Sequence, residues 1–182
     1  LVLVLVLVFC SATTLVLQWY EGQTTPVAIP GAVGSTLTGV DFNHFDFIRL
    51  GVAVHDGVEL GPETLSNVVQ ILNTVPIMAP PTLQPTLLYT NTTAICTPGA
   101  VTDPDVDTVT PQYEWLVGGS PVVGQTTSVL DGSVHFDKNQ TVRCVVTPYD
   151  GYDWGTPQES GLYLVQNSPP TQPVVEITPS TP

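Results

Sequence analysis

Apolar residues in this chain occur in short runs that alternate with polar residues and end at Pro, Gly, Asn or Asp. Alternation of apolar and polar side chains with a period of two is typical of a β-strand with one buried face. By this pattern, strands are predicted at residues 87–96, 109–117, 122–130, 133–136, 141–147 and 161–166. Beyond the N-terminus no helical period runs for more than about two turns. The pattern therefore predicts an all-β chain.

A repeat with a period of 94 residues runs through the sequence. Residues 54–76, VHDGVELGPETLSNVVQILNTVP, match residues 148–170, PYDGYDWGTPQESGLYLVQNSPP. Identical residues recur at this spacing at Asp56 and Asp150, Gly61 and Gly155, Ser66 and Ser160, Asn73 and Asn167, and Pro76 and Pro170. Upstream, Trp19 and Trp115 are 96 positions apart, so a gap of two residues aligns them. A fixed period of this kind indicates tandem structural units.

The period is close to the roughly 100 residues of an immunoglobulin-like β-sandwich. The predicted domains are an incomplete first sandwich at residues 1–76, a second at 77–168, and a linker with the first strand of a following repeat at 169–182. In this alignment the first repeat lacks its own first strand. The Pro-rich segments VPIMAPP and SPPTQP mark the boundaries, because such segments are stiff and extended.

Two cysteines support the sandwich prediction. Cys96 and Cys144 are 48 residues apart, and Trp115 lies between them. This spacing matches the immunoglobulin pattern, in which the cysteines bridge the two sheets and the Trp packs on the bridge. The alternative is two buried free thiols. A bridge requires an oxidising compartment, which predicts an extracellular protein. Trp19 is predicted to be the matching core residue of the first repeat.

A family resemblance rests on residues 102–119, TDPDVDTVTPQYEWLVGG, and on residues 142–161, VRCVVTPYDGYDWGTPQESG. These segments resemble the tandem immunoglobulin-like and cadherin-like repeats of large prokaryotic surface proteins and adhesins. Such repeats often carry a DxDGD loop, a Y-x-W strand, and a C-x-V-T-P-x-D-G strand and turn; here Val106 replaces the Gly of the loop. The resemblance covers almost the whole chain. It implies a sandwich fold and a role in spacing, adhesion or cell-surface assembly.

The strong negative charge of the chain limits the partners that it can bind. The chain has 16 acidic and 3 basic residues, for a formal net charge of −13. Such a chain repels phosphate backbones, so nucleic-acid binding is excluded and contact with an anionic membrane is not expected. Asp103, Asp105 and Asp107 alternate in one polar loop and are the candidate calcium ligands, because calcium takes six to eight oxygens. The alternative is a set of Asx turns that order the loop. No other cofactor is expected.

Motifs for catalysis are absent from the sequence. His44, His55 and His135 are far apart and lack the spacing of metal ligands, and there is neither a Gly-rich phosphate loop nor a G-x-S-x-G motif. We therefore expect no enzymatic activity. Asn91 and Asn139 begin Asn-x-Thr sequons, which predict N-glycosylation in an archaeal or eukaryotic surface protein.

Residues 1–20 carry no charge and are compatible with three structures. They could form a membrane span, the apolar assembly helix of a pilin-like or archaeal-flagellin-like subunit, or two strands. Strands are favoured because the run is rich in Val, is broken by SATT and falls in register with strands of the second repeat. A strand that is apolar on both faces needs a cover on its outer side, as inside a polymer.

The chain begins and ends out of phase with its repeat. We therefore expect a structural subunit of an extracellular filament or surface array, whose partners are copies of the chain joined by strand exchange. The residues expected to assemble are Leu1, Val2, Leu3, Val4, Val174, Val175 and Ile177. The alternative is a ligand-binding adhesin module that uses Tyr149, Tyr152 and Trp154.

Overall fold

The computed structural model describes residues 2–4 and 14–176, with side chains from residue 14 onward. The chain divides into two compact units. The first extends to Val75 and also includes the loop Asp103–Asp107, and the second comprises Pro76–Thr102 and the chain from Thr108 onward. The loop with the alternating Asp residues thus belongs to the first unit, although the sequence places it inside the second repeat.

The described part of the first unit contains seven strands. They are β1 (Val2–Val4), β2 (Thr14–Glu21), β3 (Val27–Ala28), β4 (Thr36–Thr38), β5 (Phe47–His55), β6 (Thr64–Leu65) and β7 (Val69–Gln70). One sheet has the order β3-β2-β5-β6, with β7 also paired to β5, and the other is the antiparallel pair β1-β4. The β2–β5 ladder is the longest, and along β5 the buried Ile48 and Leu50 alternate with half-buried residues, whereas Gly51 and Ala53 are also buried.

The described part of the second unit contains eleven strands and one short helix. They are β8 (Ile77–Met78), β9 (Thr82–Gln84), β10 (Leu88–Tyr89), β11 (Thr93–Thr97), β12 (Val101–Thr102), β13 (Thr110–Val117), β14 (Ser120–Pro121), β15 (Val129–Asp131), α1 (Gly132–His135), β16 (Thr141–Tyr149), β17 (Gln158–Glu159) and β18 (Tyr163–Gln166). One sheet has the order β15-β11-β9, and the other has the order β10-β18-β16-β13-β14 with β17 paired to β16. β8 pairs with β12, and β10 runs parallel to β18.

The two units repeat one framework. Trp19 lies opposite Leu50 in the β2–β5 ladder, and Trp115 lies opposite Cys144 in the β13–β16 ladder. A Ser also recurs beside each ladder: the backbone N–H of Leu50 donates to Oγ of Ser66 (3.0 Å), and that of Cys144 donates to Oγ of Ser160 (3.1 Å). The prediction of two all-β immunoglobulin-like repeats is confirmed, and the described part of the first unit has no counterpart of β9.

Each unit encloses its own core. In the second unit, Trp115 is buried and its indole N–H donates to the carbonyl of Thr127 (2.8 Å). A disulfide joins Cys96 on β11 to Cys144 on β16, and so links the two sheets. In the first core, Leu50 takes the position of Cys144, and the packing there is aliphatic. The buried residues of this core are Trp19, Leu37, Ile48, Leu50 and Ile71.

One predicted strand, at residues 133–136, was wrong, because most of it forms the helix α1. The carboxylate of Asp131 accepts hydrogen bonds from the backbone N–H and the hydroxyl of Ser133 (2.9 and 2.7 Å). Such a cap satisfies a donor at the first turn of a helix and competes with strand pairing. The same two bonds lower the pKa of Asp131, with the hydroxyl bond the larger cause.

Two other predicted strands are shorter than expected. Within residues 122–130, only the end of the segment pairs, as β15, and residues 87–96 divide into β10 and β11. The division lies at a turn in which the backbone N–H of Thr92 donates to the carbonyl of Tyr89 (2.8 Å). The Thr92 hydroxyl accepts the backbone N–H of Tyr89 (2.9 Å) and so closes the turn from the other side.

Where residues 1–20 are described, they are strands. Val2–Val4 and Thr14–Glu21 pair within the first unit, in agreement with the predicted strands and not with an assembly helix. Residue 1 and residues 5–13, which include Cys10, lie outside the described part of the chain. Among the described residues, no helix has the length and hydrophobicity needed to span a membrane.

The disulfide should dominate the stability of the second unit. Replacing both Cys96 and Cys144 with Ala should lower its free energy of unfolding by about 4 kcal/mol, because the bridge closes a long loop in the unfolded chain. Denaturant unfolding followed by tryptophan fluorescence measures the change. Cys10→Ser is the control and should leave the unfolding of the second unit unchanged. Equal stability of the double variant and the oxidised wild type would contradict this account.

Candidate functional site

The hairpin after each central strand is organised by one aspartate. Asp150 is buried, and its Oδ1 accepts the backbone N–H groups of Tyr152 (2.7 Å) and Asp153 (2.6 Å). In the first unit, Oδ1 of Asp56 accepts the backbone N–H groups of Val58 and Glu59, both at 2.9 Å. These backbone donors lower the pKa of Asp56, with the bond from Glu59 the larger cause. Both hairpins therefore have the same hydrogen-bonded turn.

Aromatic rings distinguish the hairpin of the second unit. The rings of Tyr149 and Trp154 are stacked, with centroids 4.4 Å apart and planes at 29°. Trp154 is nevertheless 54% exposed, and Tyr152 beside it is also exposed. Tyr149 and Trp154 also pair through an isolated backbone bridge, and the equivalent bridge of the first unit joins His55 and Leu60. The fold therefore tolerates other residues at these positions, and the aromatic pair is a feature of this hairpin alone.

The loop Asp103–Asp107 is ordered by an Asx turn. Oδ1 of Asp103 accepts the backbone N–H of Asp105 (2.8 Å) and of Asp107 (3.3 Å). This arrangement corresponds to the Asx-turn alternative for the loop, since that oxygen of Asp103 is turned towards its own backbone. The three carboxylates predicted as calcium ligands are consequently not equivalent.

The other two carboxylates lie beside a histidine that the sequence did not connect with them. The backbone N–H of Thr74 donates to Oδ2 of Asp105 (2.6 Å), and Oδ2 of Asp107 lies 3.4 Å from Nδ1 of His44. One ligating atom from each of His44, Asp105 and Asp107 falls within 4.8 Å of the others. Asp103 is not part of this cluster. The structure therefore joins two of the three predicted ligands to a nitrogen ligand.

Sequence reasoning missed His44 because nothing local marks it. It lies about 60 residues before the loop, outside any metal-binding spacing, and the first repeat has no equivalent of the loop to suggest the contact. The rings of His44 and Phe45 are nearly perpendicular, with centroids 4.7 Å apart. Only the three-dimensional placement of the loop in the first unit reveals the cluster.

Val106 adopts a backbone conformation that its side chain disfavours. Its φ is +65°, in the left-handed region, and its side chain is exposed. Gly adopts this conformation at no steric cost, whereas the branched side chain of Val clashes with the backbone there. Val106 therefore adds strain to the loop.

The remaining predicted sites lie on the surface. Asn91 and Asn139 are exposed in turns; Oδ1 of Asn91 accepts a hydrogen bond from the Ser168 hydroxyl (2.7 Å), and Asn139 has a positive φ of 70°. Val174 and Val175 are 98% and 81% exposed. Of the other predicted assembly residues, Val2, Leu3 and Val4 form β1, whereas Leu1 and Ile177 lie outside the described part of the chain.

Comparisons with known proteins show similarity at the level of solved structures. The chain is similar to the structure of the chicken CNTN1 FN1-FN3 domains, with a TM-score of 0.38 and 10% identity over 85% of this chain and 58% of that one. It is also similar to the Clostridium thermocellum CbhA fibronectin(III)-like modules, with a TM-score of 0.34 and 16% identity over 88% of this chain and 83% of that one. Because both similarities are weak, the fold assignment rests on the strand order and registers given above.

No protein-family model matches the chain, and no curated protein matches it. The chain spans 58% of the length of the CNTN1 structure. What these two proteins bind therefore has no bearing on this chain.

Relief of the strain at Val106 should stabilise the protein. Val106→Gly should raise the free energy of unfolding by roughly 0.5–1 kcal/mol, because the steric cost of the left-handed conformation outweighs the added flexibility of the unfolded chain. Thermal and denaturant unfolding measure the difference. The control is Val123→Gly at an equally exposed turn position without a positive φ, which should be neutral or destabilising. A loss of stability in Val106→Gly would show that the loop is not strained there.

Proposed function

We propose that this chain is a structural module of an extracellular array built from immunoglobulin-like sandwiches, in which copies join by strand exchange. The observation that carries the proposal is the exposed segment that begins at Val174. By the 94-residue period, Val175 corresponds to Pro81 and Ile177 to Leu83, and both of the latter are buried in the second unit. The segment therefore has the sequence of a first strand, and its two Val side chains are exposed.

The second unit shows what such a strand does. β9 pairs antiparallel with β11, placing Leu83 opposite Cys96, next to the disulfide. Leu83 is fully buried, whereas the neighbouring Thr82 and Gln84 face outward. In the described part of the first unit, β1 pairs with β4 and has no partner on its other edge. A strand of the β9 type from another copy would complete this sheet and protect the edge from non-specific pairing.

The chemistry of the chain suits an extracellular location. The Cys96–Cys144 disulfide requires an oxidising environment to form and persist. The net charge of −13 favours solubility and discourages contact with nucleic acid and anionic lipid. The proposed role is mechanical and requires no catalysis.

If copies exchange strands, self-association should depend on Val175, because this residue corresponds to the buried Pro81. The wild-type chain should associate as its concentration rises, and Val175→Asp should abolish this because it would bury a charge in the recipient sandwich. Size-exclusion chromatography with light scattering measures the mass across a concentration series. Val123→Asp adds the same charge at an exposed position of the second unit and is the matched control. A monomeric wild type, or normal association of Val175→Asp, would refute strand exchange.

A second function, as a ligand-binding adhesin module, is favoured by the aromatic hairpin. The stacked pair holds the exposed ring of Trp154 in a fixed orientation. Binding a ligand would therefore cost little side-chain conformational entropy. Trp and Tyr are also the residues that most often dominate binding energy at interfaces.

The adhesin alternative predicts one sensitive residue. Trp154→Ala should remove binding to whichever immobilised glycan or peptide retains the wild-type chain in an array screen. Leu60→Ala, at the equivalent position of the first unit, should leave that binding intact. Failure of the wild-type chain to bind any member of the array would contradict the adhesin alternative and leave the structural proposal unaffected.

A further inference from the structure

His44, Asp105 and Asp107 form an unassigned cluster of ligating side chains within the first unit. His44 and Asp107 are largely shielded from solvent, with side chains 14% and 20% exposed. The set contains one imidazole nitrogen and two carboxylates. We propose that this cluster binds a divalent transition-metal ion of the zinc type.

The cluster contains negative charge without a fixed cation. Oδ2 of Asp107 is buried and makes no hydrogen bond within the described structure, and the same holds for Oδ2 of Asp103 in the same loop. Burying a carboxylate oxygen is costly unless it is paired or bound to a metal. In the described part of the chain, no Arg or Lys forms an ion pair with the loop, since Arg143 pairs with Glu159 and Arg49 donates to the carbonyls of Gly22 and Gln23.

The distance between the His44 nitrogen and the buried oxygen of Asp107 fits a small ion bound between them. Nδ1 of His44 and Oδ2 of Asp107 are 3.4 Å apart. Zinc binds nitrogen and carboxylate oxygen at about 2.0–2.2 Å in a tetrahedral arrangement, in which neighbouring ligand atoms are roughly 3.3–3.6 Å apart. Asp105 completes the set after a movement of about 1 Å, since all three ligand atoms already lie within 4.8 Å of one another.

The surroundings hold the ligands in place. The backbone N–H of Thr74 fixes one oxygen of Asp105, and a carboxylate has lone pairs left for a metal after accepting one hydrogen bond. The Asx turn of Asp103 fixes the backbone between the two ligating aspartates. Outer contacts of this kind orient ligands at metal sites.

The donor set selects the class of ion. Calcium takes six to eight oxygens, and an imidazole in the set disfavours it. Nitrogen with carboxylate oxygen suits zinc and other late first-row metals. Three protein ligands leave a fourth position for water, and a cavity of about 130 Å³ lined by His44, Asp105 and Thr74 gives access to the cluster.

Metal titration of the chelator-stripped full chain tests the proposal. Isothermal titration calorimetry with Zn²⁺ should show one saturable site per chain, and Co²⁺ should give the visible absorbance of a tetrahedral site that includes nitrogen. His44→Gln should weaken binding by more than the roughly 10–100-fold that loss of an outer-shell partner costs. Asp107→Asn preserves the shape of the side chain and should weaken binding similarly. Circular dichroism of each variant reports whether it is folded.

Two control variants and a competing ion make the result decisive. His55→Gln and Asp137→Asn remove a histidine and an acidic residue elsewhere and should bind Zn²⁺ like the wild type. Excess Ca²⁺ should not displace Co²⁺. The proposal is overturned if no saturable Zn²⁺ binding occurs, if folded His44→Gln and Asp107→Asn bind like the wild type, or if Ca²⁺ binds more tightly than Zn²⁺.

Discussion

The packing of one tryptophan against the strand opposite it organises each half of this chain. Trp19 and Trp115 occupy the same place in their ladders, and each indole N–H is satisfied by a backbone carbonyl. A large buried ring with its polar atom paired fixes both the face and the register of the strand that carries it, because a shift of one residue would expose it. Ile48, Leu50 and Ile71 of the first core then lie 94 residues before Val142, Cys144 and Val165 of the second.

What faces the tryptophan differs between the units. In the second unit it is a disulfide that joins the sheets, and in the first it is Leu50 in an aliphatic core. The disulfide acts largely by restricting the unfolded chain, whereas the aliphatic core acts by removing apolar surface from water. One framework is thus stabilised by two physical means, and reduction should affect the two units unequally.

The fold could be predicted because its signals are local or strictly periodic. The spacing of Cys96, Trp115 and Cys144 and the 94-residue repeat depend on sequence alone. The helix α1 was missed because the hydrogen bonds of Asp131 outweigh a short apolar pattern. The contact of His44 with the loop Asp103–Asp107 could not be predicted, since it joins two irregular segments with no shared period. Val106 was noticed as a departure, but its strain became visible only from its φ.

We propose that the segment beginning at Val174 supplies a strand that pairs with β1 in another copy of the chain. Hydrogen–deuterium exchange followed by mass spectrometry tests this directly, since backbone pairing slows exchange. Strand exchange should protect the amides of residues 174–178 and of Val2–Val4 together as the protein concentration rises. Rapid exchange of residues 174–178 at every concentration, with or without protection elsewhere, would contradict it.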